Sequence, residues 1–175
     1  TVGLSIVLDS AKENNLADFK FETSYYTYLN SFAPEDSHVS RATSWFSNVD
    51  VIHAAAGGAG NSVMTAIGNR TNKWVVGVDV DQKDENKQVI TSAMKELGIS
   101  VYNTLKDIYA NDKFPGGTQK YFTTKDKGVG ISSDFTRFTT FTKAQYDTLY
   151  TKLNDETVVV PSNDTELIAF IKTLE

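Results

Sequence analysis

Cysteine is absent from the 175 residues, which excludes disulfides and thiolate metal sites. No apolar run approaches the roughly 18 residues of a membrane-spanning helix, and no charged, apolar and small-residue signal opens the chain. Basic excess is missing too. Seventeen Lys and Arg stand against 22 Asp and Glu, and the pI is about 5.0, so no footprint points to DNA or RNA. There is no G-x-S-x-G elbow, and neither of the two histidines, His38 and His53, comes with a nucleophile motif. An initiator methionine is also lacking. Thr1-Val2-Gly3 leads straight into a helical pattern, which reads as a processed or truncated product whose targeting or anchoring segment lies upstream. What remains, 40% hydrophobic residues, suits one globular domain able to bury a core.

Patterned segments alternate along the chain. Leu4, Val7, Leu8 and Ala11 have helical spacing, and Phe19 to Tyr28 reads as an aromatic-rich strand. A helix is expected from Pro34-Glu35-Asp36-Ser37 to about Phe46, a strand over Val49 to Ala55, a helix over Asn61 to Ile67 and a strand over Trp74 to Val78. A short strand at VITS follows, then a helix carrying Leu97, Val101, Leu105 and Ile108. Two short strands are expected at Gln119 to Thr123 and Val129 to Ser132. A helix over Lys143 to Leu153, a strand over Thr157 to Val160 and a closing helix capped by Pro161-Ser162-Asn163-Asp164 complete the chain. Apolar strands separated by helices mark a parallel sheet covered on both faces.

The glycine stretch Gly57 to Ser62 lies between a strand and a helix, where open α/β sheets bind ligands. Gly58-Ala59-Gly60-Asn61-Ser62-Val63 nearly matches the dinucleotide fingerprint, with Asp79 and Asp81 about 20 residues on. An NAD- or FAD-binding domain of an oxidoreductase is therefore one reading. Val63, in the third glycine's place, and the position of the unit in mid-chain stand against it. A P-loop is set aside because the stretch has no Lys. Otherwise the glycines simply make a tight turn. Asp79 could accept hydrogen bonds from vicinal hydroxyls, bind a metal with Asp81, or be a solvated loop acid. His53 reads as an interior histidine satisfied by its neighbours. Phe32, beyond the end of the aromatic strand, is placed to stack on a planar ligand. These residues outline a binding site rather than a catalytic one.

Several segments occur in an order that resembles the basic membrane protein family, the nucleoside-binding lipoproteins of bacterial ABC transporters. They are DVIHAAAGGAG, VVGVDVDQ, VITSAMKELGISVY, DKFPGG, GVGIS and VVVPS. The resemblance implies the type I periplasmic-binding fold, with two α/β lobes closing on a ligand, and no catalytic activity, metal or cofactor. It covers nearly the whole chain, yet corresponds to the second half of the family. Residues 1–175 are accordingly expected to be the carboxyl-terminal part of a two-lobed protein, with segments of 89–133 crossing to the missing first lobe.

For the site, the resemblance implies that Asp79 accepts ribose hydroxyls and Lys95 donates to the same sugar. The Gly57-Gly58 turn places backbone groups beside the base, and Phe32 is one wall of an aromatic sandwich completed by the missing amino-terminal lobe. The implied partners are a purine nucleoside or a similar solute, that lobe and a membrane permease, with no nucleic acid. The implied location is outside the cytoplasm, lipid-anchored through the upstream segment. A ligand sensor reusing the same fold is the remaining alternative. An exposed apolar patch is expected where the missing lobe would pack.

Overall fold

A computed structural model describes residues 23–172, so the expected first helix and Phe19 to Glu22 lie outside the described residues. The chain divides into two compact units, residues 28–142 and residues 1–27 with 143–175.

The larger unit is built on a four-stranded sheet in the order β1-β2-β3-β4. Here β1 is Val51–His53, β2 Trp74–Asp79, β3 Val89–Lys95 and β4 Val129–Ile131. The first three strands are parallel, with Ile52 beside Val75 and Gly77 beside Ser92. Three helices accompany them: α1, Asp36–Trp45; α2, Gly60–Ile67; and α3, Leu97–Tyr109. The prolines and glycines explain the breaks. Pro34 precedes α1, and Gly68 leaves α2 with φ +55°, a left-handed exit that glycine adopts without strain. Arg70 then donates to the orphan carbonyls of Ala66 and Ile67.

One apolar core forms where α1 and α2 meet the sheet. Phe46, Ile52, Val63, Met64, Ile67, Val75 and Val89 are buried together. Each such aliphatic side chain removed from water contributes about 1.5–3 kcal/mol. Strand alternation places Val75 and Gly77 on this covered face, while Val51, on the other, stays half exposed. Helix α3 has no buried residue: Leu97, Val101, Tyr102, Leu105 and Tyr109 are all exposed. Leu97, Val101 and Leu105, four residues apart, make an exposed apolar row along α3.

Four expectations change. Strand β4 is antiparallel to β3, because the chain doubles back beside it and Gly128 O accepts from Glu96 N (2.9 Å). Gln119 to Thr123 makes no strand. Its end is taken up by a local turn in which the Asp126 carboxylate accepts from Thr123 N and Gly128 N donates to Thr123 O. Thr157 to Val160 likewise stays irregular, with Val158 N turned back to Lys152 O (3.3 Å). In the described part of the expected aromatic strand, Thr23–Tyr25 form a 3₁₀ turn.

The smaller unit contains α4, Lys143–Asn154, and α5, Asp164–Lys172. Asn163 and Glu166 form a reciprocal cap at the start of α5. Glu166 N donates to Asn163 Oδ1 (2.9 Å), and the Glu166 carboxylate accepts from Ser162 N (2.7 Å). The cap expected at Pro161 to Asp164 therefore forms.

Candidate ligand-binding site

Because β1, β2 and β3 are parallel, their last residues, His53, Asp79 and Lys95, come to one edge of the sheet. The glycine turn leaves the same edge. Gly57 has φ +54° and begins the 3₁₀ turn Gly57–Ala59 that feeds α2. A Cβ at Gly57 would lie 3.3 Å from Phe32 Cδ1, and one at Gly58 would lie 3.0 Å from Phe32 O. Phe32 therefore rests directly on the turn, and side chains there would push it away. The approach is held from below: Ser62, buried at the start of α2, accepts from Glu35 N (3.1 Å). Phe32 itself is 79% exposed, an aromatic ring supported at its edge and open to solvent.

At the same edge of the sheet, Asp79 Oδ1 lies 2.7 Å from Lys95 Nζ. Both side chains are substantially exposed, 43% and 65%, so the pair contributes at most about 1 kcal/mol to stability. A weak pair exchanges partners readily. The second carboxylate oxygen and the remaining ammonium protons are suited to hydroxyl groups, with charge-assisted bonds to each.

Asp81 points elsewhere. Its Oδ2 accepts from Ser132 Oγ (2.7 Å) and its Oδ1 from Lys83 N (3.1 Å), so it ties the loop after β2 to the end of β4. Among the described residues no group of three or more metal-ligating side chains occurs. Val63, in the third glycine's place of the dinucleotide fingerprint, is buried in the core. His53 differs from the sequence reading: it is exposed, with Nδ1 3.3 Å from Val76 O.

The structure thus brings Phe32 onto Gly57 and Gly58, and Asp79 onto Lys95, with both groups at the carboxyl ends of the parallel strands. Sequence reasoning missed the side chains behind them. Gln82 reaches back to β2, where its Oε1 accepts from Val78 N (2.8 Å), and its own N donates to Ser92 Oγ (3.0 Å). Arg137 donates to the carbonyls of Lys83, Asn86 and Val89, and Lys83 pairs with Asp134 at 2.7 Å. One signal was available for Gln82: a glycine, Gly77, inside an otherwise Val-rich strand marks a close approach.

The family described as "Bmp: ABC transporter substrate-binding protein PnrA-like" matches residues 13–164. A "CD4+ T-cell-stimulating antigen" of Listeria monocytogenes is 34% identical over 151 residues, 77% of this chain and 42% of that protein. An "ABC transporter nucleoside-binding protein BmpA" of Lactococcus lactis is 32% identical over 126 residues, 61% of this chain and 35% of the relative. "Basic membrane protein A" of Borreliella burgdorferi is 28% identical over 158 residues, 89% of this chain and 46% of the relative. The chain spans less than half the length of these curated relatives. Among solved structures, an ABC transporter solute-binding protein from Aeropyrum pernix superposes with a TM-score of 0.65 at 18% identity. That match covers 97% of this chain and 57% of the other. A transcriptional activator of the comK gene from Bacillus halodurans gives 0.57 at 16% identity, over 77% of this chain and 47% of the other. These two likenesses show the fold alone, an α/β periplasmic-binding-protein-like architecture. With the family match over residues 13–164, the chain belongs to the PnrA-like ABC transporter substrate-binding proteins, the basic membrane protein family.

Proposed function

We propose that this chain is the carboxyl-terminal part of a two-lobed solute-binding protein of an ABC importer, and that it carries half of a purine nucleoside site. The observation that supports this most is the pairing at one sheet edge of an exposed aromatic ring on a glycine turn with an exposed carboxylate and ammonium. A nucleoside has the matching halves, a flat base and a sugar with vicinal hydroxyls. The relative from Lactococcus lactis is described as nucleoside-binding, which favours the same ligand class.

In this reading Phe32 stacks on the base, and Gly57 and Gly58 let backbone groups approach its edge. Asp79 accepts from the sugar hydroxyls and Lys95 donates to them. The protein binds and releases its ligand without transforming it. The missing amino-terminal lobe supplies the second aromatic wall, and closure of the lobes presents the solute to a membrane permease. Segments of residues 89–133 cross toward that lobe, and the exposed apolar face of α3, Leu97, Val101 and Leu105, packs against it. The parent protein is extracytoplasmic and held to the membrane by a lipid on its upstream segment.

Calorimetric titration of the full-length protein with guanosine, inosine and adenosine, with their dideoxy forms and NAD alongside, tests the assignment. Ribonucleoside binding that drops at least tenfold in Asp79→Ala is the expected result, since a hydrogen bond to a charged group is worth about 1.5–3 kcal/mol. Heat from NAD alone would return the glycine turn to a dinucleotide.

A further inference from the structure

Asp79 is held in an unusual backbone conformation. Its φ is +67°, and Val80 N donates to Val78 O across it at 2.8 Å. A three-residue turn with this bond and a positive central φ is rare and strained for a residue that carries a Cβ. The geometry is nevertheless useful, because it ends β2 abruptly and leaves the Asp79 carboxylate 2.7 Å from Lys95 Nζ. Something must hold the turn.

We infer that Gln82 is the positioning residue for Asp79, a side-chain strap that substitutes for a missing strand. Trp74 N donates to Asp50 O (2.8 Å), so the even-numbered residues of β2 turn their N–H groups toward β1. Strand β1 ends at His53, opposite Val76. Val78 is the next even-numbered residue, and the carbonyl it would have met, that of Ala54, is engaged by Ala56 N (2.8 Å). Gln82 Oε1 takes its place at 2.8 Å. The strap is anchored at two further points: Gln82 N donates to the buried Ser92 Oγ on β3, and Gln82 Nε2 donates to the Glu85 carboxylate (3.1 and 3.2 Å). It crosses directly over Gly77, where a Cβ would lie 2.7 Å from Gln82 Oε1 and 2.6 Å from Ser92 Oγ. Gly77, Gln82 and Ser92 therefore form one device that holds Val78, the first residue of the strained turn, and Gln82, two residues beyond it. Gln82 touches no ligand and acts through Asp79.

The inference rests on Asp79 as the acceptor for sugar hydroxyls, and its test separates the two ideas. Gln82→Met keeps the side chain's length but removes its acceptor and donors. In the ligand-free full-length protein, amide exchange at Val78 and Val80 should rise by about tenfold, the size of one net hydrogen bond, while Val75 and Val76 stay protected. Unchanged exchange at Val78 would overturn the strap whatever the ligand. In titrations, guanosine affinity should fall about tenfold and 2′,3′-dideoxyguanosine affinity should hold. The loss should vanish in an Asp79→Asn background, as expected for residues acting as a unit. Equal loss for both ligands, or additive losses in the double variant, would sink the positioning role. If the unsubstituted protein takes up no nucleoside, the nucleoside reading fails, and the exchange experiment alone decides whether Gln82 holds the turn.

Discussion

Replacing Gly77 with alanine adds one methyl group to the middle of β2, and its cost follows from the neighbours. The new Cβ would lie 2.6 Å from Ser92 Oγ and 2.7 Å from Gln82 Oε1, closer than non-bonded atoms tolerate. Ser92 is fully buried and Gln82 only partly, so Gln82 is the side chain that leaves. That departure forfeits the side chain's bonds to Val78 N and the Glu85 carboxylate, each about 1 kcal/mol net, and residual crowding adds about 1–3 kcal/mol. Alanine recovers only about 0.5–1 kcal/mol of glycine's backbone entropy. The expected net destabilisation is about 2–4 kcal/mol. Urea unfolding followed by tryptophan fluorescence reads it, since Trp74 begins the same strand; with a urea slope of about 1–3 kcal/mol/M, the midpoint drops by roughly 1–2 M. Gly98→Ala in α3 is the control. Nothing lies within 4 Å of its added Cβ, so helix propensity alone acts and stability should hold or rise by up to about 1 kcal/mol. A Gly77→Ala chain within about 0.5 kcal/mol of the original would refute the strap geometry.

Two further expectations concern surfaces away from the site. Lys83, hydrogen-bonded to Asp134 at 2.7 Å, holds the Asp134 carboxyl well below its ordinary 3.8, with Thr136 adding to the effect. A lowered folded pKa contributes stability that is complete above the unfolded value and is lost as pH falls through the folded one. The Tm difference between the original chain and Asp134→Asn should therefore be constant near neutrality and shrink below about pH 4; a difference undiminished in acid would contradict it. The Lys83 ammonium is raised by the same contact, so its contribution is complete below its ordinary 10.5 and is lost as pH rises above that value through the folded one. Glutamine at Leu97, Val101 and Leu105 together should change the stability of this 175-residue chain by under about 1 kcal/mol, because these side chains are exposed. It should also reduce hydrophobic-dye binding. In the full-length protein the same triple change should cost several times more, as expected for loss of buried apolar area. Equal costs in both would mean that α3 is not an interface to a further lobe.

Local spacing in the sequence determined where most elements lie. The apolar periodicities around Asp36–Trp45, Gly60–Ile67, Leu97–Tyr109 and Lys143–Asn154 are helices, and the glycine turn and the Asn163 cap stand where their residue types require. Those signals are carried by residues within one or two turns of one another, so they survive reading one stretch at a time. The order of motifs also marked Phe32, Asp79 and Lys95 as residues of interest. Tertiary structure alone decided the rest. The antiparallel course of β4 depends on how the chain returns past Glu96. The irregular course of Gln119 to Thr123 depends on which of Asp126's neighbours take its carboxylate. Asp79 and Asp81, two residues apart and chemically alike, part company because Lys95 meets one and Ser132, 51 positions on, meets the other. Gln82 acquires its task because β1 stops short of Val78. A hydrogen-bonding group takes the partner that the fold places within about 3 Å, and the identity of that partner is written nowhere near it in the sequence.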